Sequence, residues 1–271
     1  MFEYDRQEHE AAVREWRRGR LERLTAPDGW LSLVARVPLP EGESRVGTSE
    51  ACEVMLPAAK APAVAGTLRR GGSEVTWTPA GGAPARVRTD RGGARAERLV
   101  VGALTLEITD RESGIFVRVR DPESAARGDF PGIEAYPIDP KWRVIARLER
   151  YAPEKVVGLD YEAGTKQEYL SPGAAVFAID GVEHRLEPVY EDDRRKRLYL
   201  VFWDLTARDT TYGAGRFLYG PLPQGDRVLL DFNLAFSPPC AFTKYAACPL
   251  APRQNRLAVR VEAGEKAPET A

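Results

Sequence analysis

The sequence predicts an all-β protein with an N-terminal helix, built from two small β-sandwich or barrel domains. From Trp30 onward the apolar runs are short, as is typical of strands. Clusters of Gly, Pro and Asp separate these runs at intervals too short for the helices of βαβ units. Helical periodicity is confined to the first residues of the chain, which places the one helix there.

The helix is predicted over residues 5–24. Val13, Trp16, Leu21 and Leu24 form its apolar stripe, while Glu and Arg occupy the other faces. Pro27-Asp28-Gly29 then ends it, because proline fixes φ and glycine permits a sharp turn. Since acidic residues offset the basic ones, residues 1–26 are interpreted as a surface helix that caps the fold.

Residues 27–130 are predicted to be the first β domain. Gly47 and the run Glu53-Val54-Met55-Leu56 resemble the core pattern of forkhead-associated (FHA) domains, which implies an FHA-like sandwich. Thr48 stands where that family has its phosphate-contacting Arg, and residues 63–66 supply neither its Ser nor its His. Phosphopeptide binding depends on such charged donors, so the resemblance implies the fold without that activity. The predicted strands are Trp30–Val37, Ser44–Gly47, Val54–Leu56, Gly66–Arg70, Val75–Thr78, Ala85–Arg88, Arg98–Val101, Leu104–Thr109 and Ile115–Arg120.

A segment rich in Pro, Gly and Asp, residues 121–139, marks the domain boundary. Residues 140–271 are predicted to be a C-terminal β domain, in which Asp180-Gly181 is a hairpin turn. Its predicted strands are Lys141–Arg150, Lys155–Asp160, Gly173–Ile179, Val182–Pro188, Leu198–Asp204, Gly215–Tyr219, Arg227–Phe232 and Arg256–Glu262.

Charge and composition argue against several classes of protein. Lys and Arg total 39 against 40 for Asp and Glu, which is unlike a nucleic-acid binder. The charged N-terminus lacks the apolar core of a secretory signal, and nothing resembles a membrane span. Three cysteines fit a reducing, cytoplasmic location. Cys240 and Cys248 are too widely spaced for a zinc site in a chain with two histidines, so no metal and no cofactor are expected.

The C-terminal domain carries a dense motif in three parts. These are Thr-Tyr-Gly-Ala-Gly-Arg-Phe-Leu at 211–218, Asp-Phe-Asn-Leu-Ala-Phe-Ser-Pro-Pro-Cys-Ala-Phe at 231–242, and Cys-Pro-Leu at 248–250. The motif resembles family 1684 of the domains of unknown function, an uncharacterised and mainly bacterial family. The resemblance implies that these residues belong to one constellation, and it implies no activity.

Four polar residues of the motif are the candidate ligand-binding site: Tyr212, Arg216, Asp231 and Asn233. Arg216 and Asp231 lie on neighbouring predicted strands, and a hairpin would bring them together. Arg216 would then bind a small anionic ligand while the other three orient it. The alternative interpretation is a buried Arg–Asp pair that fixes strand register and performs no chemistry.

The favoured function is therefore a non-catalytic module that binds a small anionic ligand. The first alternative is a hydrolase, with Asp231 as general base beside Asp204 and Asp209, or with Cys240 as nucleophile and His184 as its base. Cys240 and Cys248 could form a reversible bridge, although packed thiols are favoured. The second alternative is an interaction scaffold whose polar cluster is purely structural. The sequence does not indicate an oligomeric state.

Overall fold

A computed structural model describes residues 4–91, 94–111, 113–161, 164–192 and 194–269. Helix α1 spans Arg6–Thr25 and a one-turn helix, α2, spans Ala125–Gly128. The strands are β1 Leu33–Pro38, β2 Gly42–Gly47, β3 Val54–Met55, β4 Gly66–Gly71, β5 Glu74–Pro79, β6 Ala85–Val87, β7 Arg98–Val101, β8 Leu104–Arg111, β9 Gly114–Arg120, β10 Arg143–Asp160, β11 Lys166–Ile179, β12 Val182–Leu186, β13 Val189–Tyr190, β14 Leu198–Phe202, β15 Arg216–Gly220 and β16 Arg227–Asp231. The predicted fold class, all-β with an N-terminal helix, is confirmed.

The chain forms two compact units. One unit comprises Met1–Glu22 together with Pro131–Ala271, and the other comprises Arg23–Phe130. Most of helix α1 therefore shares a unit with the C-terminal strands. The predicted three-part division at 1–26, 27–130 and 140–271 remains a prediction.

The unit Arg23–Phe130 is a two-layer sandwich. One layer has the strand order β1-β9-β8-β7 and the other has β3-β2-β4-β5-β6. Both layers contribute to one core, in which Val46 and Leu68 from the second layer meet Leu106 and Val117 from the first. Neither sheet closes into a barrel over the part of the chain described, so the sandwich alternative is the one observed.

The second unit contains two further sheets, ordered β12-β11-β10-β16 and β13-β14-β15. A single core joins them, with Phe177 from β11, Phe202 from β14 and Leu230 from β16 fully enclosed or nearly so. The Asp180-Gly181 hairpin forms as predicted, with positive φ at both residues and Ile179 paired with Val182. Strand β10 is much longer than expected because it continues through a bulge between Arg150 and Lys155.

Two sequence predictions for this unit are wrong. Strands β15 and β16 do not form a hairpin, because β15 pairs with β14 while β16 pairs with β10 in the other sheet. Residues Arg256–Glu262 do not form a strand. Side chains instead bind Val261, whose N–H donates to Asp204 and whose carbonyl accepts from Arg216. Elsewhere in the segment, Leu257 N–H donates to the Trp203 carbonyl and the Val259 carbonyl accepts from Leu205 N–H.

Candidate functional site

Arg216 lies at the centre of a sealed polar cluster. Its side chain has no exposed surface, and Nη2 donates to Asp204 Oδ1 at 2.9 Å and to the Val261 carbonyl at 2.8 Å. Nη1 donates to the Ala263 carbonyl. Because every one of these partners belongs to the chain itself, the guanidinium is occupied in holding the segment 261–263 against β15.

Asp204 completes this cluster from the other side. Its Oδ2 accepts from Thr206 Oγ1 at 2.7 Å and from Val261 N at 2.8 Å. Thr206 Oγ1 in turn lies 2.9 Å from Thr211 Oγ1. Buried charges are retained where they are paired and hydrogen-bonded, and here the pair replaces the ladder that a strand over 256–262 would have provided. This matches the structural interpretation of an Arg–Asp pair, with Asp204 rather than Asp231 as the partner.

Asp231 and Asn233 form a second, separate cluster. Asp231 is the last residue of β16, and its Oδ1 accepts from the backbone N–H of Asn233 at 3.1 Å and from Asn233 Nδ2 at 2.9 Å. Asn233 is fully buried, and its side chain brackets Asp139 by accepting from the Asp139 N–H and donating to its carbonyl, both at 3.0 Å. The carboxylate of Asp231 is therefore held in a fixed orientation.

The remaining oxygen of Asp231 faces helix α1. His9 Nε2 lies 2.6 Å from Asp231 Oδ2, and about nine-tenths of each side chain is buried. The other ring nitrogen, His9 Nδ1, is buried and has no hydrogen-bond partner among the residues that the structure describes. A carboxylate that fixes one imidazole nitrogen and leaves the other available is the arrangement that prepares a histidine to bind a ligand or move a proton.

A basic and aromatic rim adjoins this pair. The Tyr4 ring lies 5.5 Å from the His9 ring, and Tyr4 is 45% exposed. The Arg143 guanidinium lies 5.1 Å from the centre of the Tyr4 ring. Arg143 is also the cross-strand partner of Asp231 in the β10–β16 ladder. The His9–Asp231 pair thus has an edge that reaches solvent and carries a cation.

Helix α1 is fastened to the same unit by Arg20. Its Nε donates to Glu265 at 3.1 Å and its Nη2 donates to the Ser237 carbonyl at 2.8 Å, while Ser237 N–H donates to the second oxygen of Glu265. The guanidinium also lies over the rings of Phe236 and Phe242. Burial raises the pKa of Glu265, and the nearby Arg20 charge opposes that shift.

The four predicted ligand-binding residues are therefore divided between two places. Asp231 and Asn233 are hydrogen-bonded to each other, whereas Arg216 bonds to Asp204 in the sealed cluster. Tyr212 is half-buried in the turn before β15, where its carbonyl accepts from Gly215 N–H. The proximity of Arg216 and Asp231 expected from a hairpin does not arise, because the two strands belong to different sheets.

The other candidate residues have separate surroundings. Asp209 is paired with Arg260 at the surface, and Arg260 lowers the pKa of that carboxyl. His184 lies in β12 with its ring 5.9 Å from that of Phe177. Cys240 and Cys248 are both thiols, and Cys240 N–H donates to Cys248 Sγ at 3.2 Å. Asp204, Asp209 and Asp231 therefore each have a different partner, and the acid/base set of three carboxylates is not assembled.

Sequence reasoning missed His9, Tyr4 and Arg143. His9 stands four residues before Val13, which is buried, so both side chains lie on the helix face that packs inward. That spacing was available in the sequence. Its partner, 222 positions away, was not, because no local pattern connects α1 with the end of β16.

Two other features, a metal-binding group and a membrane-spanning helix, are not found in the described ranges. Over the described ranges, no group of three or more His, Cys, Asp or Glu side chains is arranged to hold a metal ion. No helix within those ranges has the length and apolar character needed to cross a membrane.

Comparison with known protein families identifies the same family that the motif resembles. The family model described as "Protein of unknown function (DUF1684)" matches residues 128–266, which contain Arg143, Asp231 and Asn233. An uncharacterised protein from gene locus rrnAC0354 of Haloarcula marismortui, solved by solution NMR, is 33% identical. That match covers 52% of this chain and 78% of the other, with a TM-score of 0.44. No curated protein matches the chain.

Proposed function

The chain belongs to the family of proteins of unknown function DUF1684, and we propose that it is a non-catalytic module binding a small anionic ligand at the His9–Asp231 pair. The observation that carries the proposal is the position of His9 Nδ1, which is buried without a hydrogen-bond partner among the described residues and belongs to a ring beside the exposed Tyr4. Buried polar atoms are usually satisfied. Arg216 Nε and His184 Nε2 are also unpartnered, but the exposed rim brings His9 within reach of a group from outside the chain.

Charge at the rim supports an anion as the ligand. When His9 is an imidazolium, Nε2–H donates to Asp231 and Nδ1–H is available as a second donor. Arg143, beside Tyr4 at the rim, supplies a planar guanidinium that matches carboxylate or phosphate geometry. Two residues of the predicted set retain a role at this site: Asp231 orients His9, and Asn233 holds Asp231 in place. Arg216 is assigned to holding the chain, since its guanidinium is fully buried.

Binding is tested by calorimetric titration with inorganic phosphate, acetate and citrate. We expect at least one anion to bind the wild type, and His9→Gln and Asp231→Asn to abolish that binding. Arg143→Ala should weaken it roughly tenfold or more, because a hydrogen bond to a charged group contributes about 1.5–3 kcal/mol. The matched control is His184→Gln, which removes the other histidine and should bind normally. Binding that survives His9→Gln would refute the proposed site, and absence of binding by all three anions would favour the interaction scaffold.

A second candidate function is a hydrolase in which His9 is the general base. The 2.6 Å contact between Nε2 and Asp231 favours it, because a carboxylate that orients imidazole leaves the opposite nitrogen to accept a proton from water. Asp231 would then be a positioning residue rather than the base predicted from sequence. Hydrolysis of chromogenic carboxylate and phosphate esters, lost in His9→Gln and kept in His184→Gln, would establish this function. Anion binding without turnover would exclude it for those ester classes.

A further inference from the structure

The third part of the family motif lies in a loop whose ends are fixed. This loop, residues 237–250, contains Cys240 and Cys248 and is called the thiol loop below. It begins with a 3-10 turn at Pro239–Ala241, in which Phe242 N–H donates to the Pro239 carbonyl at 3.0 Å. It ends where Leu250 N–H donates to the Asp160 carbonyl at 2.7 Å. Both anchors restrict how far the two cysteines can separate.

The two cysteines are in direct contact. Cys248 Sγ lies 3.2 Å from the backbone nitrogen of Cys240. Because the N–Cα bond is about 1.46 Å long, this sulfur is within about 4.7 Å of the Cys240 Cα. A disulfide needs Cβ atoms about 3.5–4.5 Å apart and Cα atoms about 4.4–6.8 Å apart. The contact limits the separation of the two residues, and a disulfide between them requires that rotation of the Cys240 side chain bring its sulfur to Cys248 Sγ.

The two thiols differ in solvent exposure, as a two-step oxidation that begins at one cysteine and ends at the other requires. Cys240 is half-buried and reaches solvent, whereas Cys248 is only 3% exposed. The hydrogen bond from Cys240 N–H to Cys248 Sγ holds the buried sulfur next to Cys240. An accessible cysteine beside a resolving one is the arrangement found in redox-sensitive pairs.

We propose that Cys240 and Cys248 are a reversible oxidation site that closes into an intrachain disulfide on reaction with a hydroperoxide. Cys240 thiolate attacks the terminal oxygen of the hydroperoxide, so that an S–O bond forms and the O–O bond breaks. The other oxygen leaves as hydroxide from hydrogen peroxide, or as alkoxide from an organic hydroperoxide, and Cys240 becomes a sulfenic acid. Cys248 thiolate then attacks Cys240 Sγ, forming the S–S bond and expelling hydroxide. The two sulfurs together lose two electrons, the peroxide gains them, and a thiol reductant reverses the bond.

A disulfide between Cys240 and Cys248 would also affect the packing of helix α1. Phe242, in the thiol loop, lies 5.4 Å from the Arg20 guanidinium that fastens the helix through Glu265. A cross-link between residues eight positions apart restricts the loop and hence the position of Phe242. Oxidation is therefore expected to change hydrogen exchange in the part of α1 around Arg20.

The test is oxidation of the full chain with one equivalent of hydrogen peroxide, followed by thiol counting and peptide mapping. We expect two of the three thiols to disappear, a peptide pair joining Cys240 to Cys248, and full recovery with dithiothreitol. Cys248→Ser should leave Cys240 as a sulfenic acid that dimedone traps, and Cys240→Ser should react far more slowly. Cys52→Ser is the matched control, since Cys52 lies in the other unit and should not alter the reaction.

Three outcomes would overturn the proposal. The first is a disulfide that includes Cys52 or joins two chains. The second is oxidation of Cys240 to the sulfinic acid at the same rate with and without Cys248. The third is loss of no thiol at one equivalent of peroxide while free glutathione is oxidised under the same conditions. None of these depends on whether an anion binds at His9.

Discussion

At the scale of single residues, two buried ionic clusters differ in how close they lie to the protein surface. Arg216 and Asp204 direct their hydrogen bonds to each other, to Thr206 and to the backbone of residues 261–263. His9 and Asp231 bond to each other beside the exposed ring of Tyr4. Each cluster has one buried nitrogen without a hydrogen-bond partner among the described residues, Arg216 Nε and His9 Nδ1, and the second of these lies beside that exposed ring. The first cluster is therefore interpreted as structural, and the second is the one to which a ligand can add a bond.

Removing Arg216 should destabilise the protein strongly. Arg216→Ala leaves the Asp204 carboxylate buried and unpaired and frees three backbone carbonyls, those of Val261, Ala263 and Glu265, which typically costs about 3–5 kcal/mol. The free energy of unfolding, measured by urea denaturation, should fall by that amount. Arg260→Ala is the control, because Arg260 pairs with Asp209 at the surface and its removal should change the midpoint little. Equal effects of the two substitutions would show that the buried Arg216–Asp204 pair does not stabilise the fold more than the surface pair does.

The sequence revealed which polar residues are buried and not which partners they have. Asp231 and Asn233 were recognised because polar side chains are rare in so apolar a run, and both are enclosed. Asp204, which the sequence places beside Asp231 only in the hydrolase alternative, caps the turn after β14 by accepting from Thr206 N–H. Its bond to Arg216 depends on how β14 and β15 are paired, which periodicity alone does not determine.

At the scale of elements, helix α1 is part of the C-terminal unit and not a separate cap. Its inward face carries polar anchors among the apolar residues: His9 meets Asp231, Arg17 donates to the Tyr136 carbonyl, and Arg20 meets Glu265. Trp16 packs beside Phe236, with 5.8 Å between ring centres. The helix thus supplies half of the proposed ligand site, which makes its docking a condition of function.

Arg20→Ala should loosen this docking. Glu265 is 2% exposed, so the substitution leaves a buried carboxylate without its cation, at a cost of about 3–5 kcal/mol. Hydrogen exchange followed by mass spectrometry should show faster exchange across α1. The control is Arg18→Ala, because Arg18 bonds only to Glu15 and Glu22 on the outward face and its loss should leave exchange unchanged. Unchanged exchange in Arg20→Ala would contradict the assigned anchor.

The segment Arg256–Glu262 explains why one strand was predicted wrongly. Apolar and polar residues alternate along this segment, and the apolar residues Leu257 and Val261 are buried. The alternation therefore predicted correctly which side chains face the core. Residue alternation does not reveal whether a neighbouring strand is available. Here the backbone bonds go to Trp203, Asp204, Leu205 and Arg216, and only an isolated bridge to Trp203 forms.

At the scale of the whole molecule, the family motif belongs to one of two units that have separate cores. The predicted family is confirmed by the match over residues 128–266. The match leaves out the α1 residues, including His9, which is why the motif alone did not reveal the candidate site. The FHA-like character of the unit Arg23–Phe130 remains a prediction, although that unit is a two-layer β-sandwich.

Buried tyrosines should make the fold sensitive to alkali. Burial raises the pKa of Tyr199 well above 10, and it raises the pKa of Tyr219 to about 12. Both rings keep their protons in the fold at a pH where the unfolded chain loses them. The contribution of Tyr219 to stability is therefore complete below pH 10 and is lost as the pH rises through about 12, and the contribution of Tyr199 likewise falls as the pH rises above 10.

The check is chemical denaturation across that range together with tyrosinate absorbance. Tyr219→Phe should reduce the alkaline loss of stability, because phenylalanine cannot ionise. Tyr4→Phe, a change at an exposed ring, is the control and should leave the loss as in the wild type. Identical profiles for all three proteins would show that burial of Tyr219 does not produce the alkaline sensitivity.

The most direct test of the central claim is an NMR titration of the two histidines, His9 and His184. Uniformly ¹⁵N-labelled protein, assigned with His9→Gln and His184→Gln, is titrated with inorganic phosphate at constant pH and ionic strength. We predict saturable shifts of the His9 imidazole nitrogens, largest at Nδ1, with His184 unmoved and the response absent in Asp231→Asn. An unchanged His9 spectrum at a phosphate concentration that saturates calorimetric binding, or equal shifts at both histidines, would contradict the account.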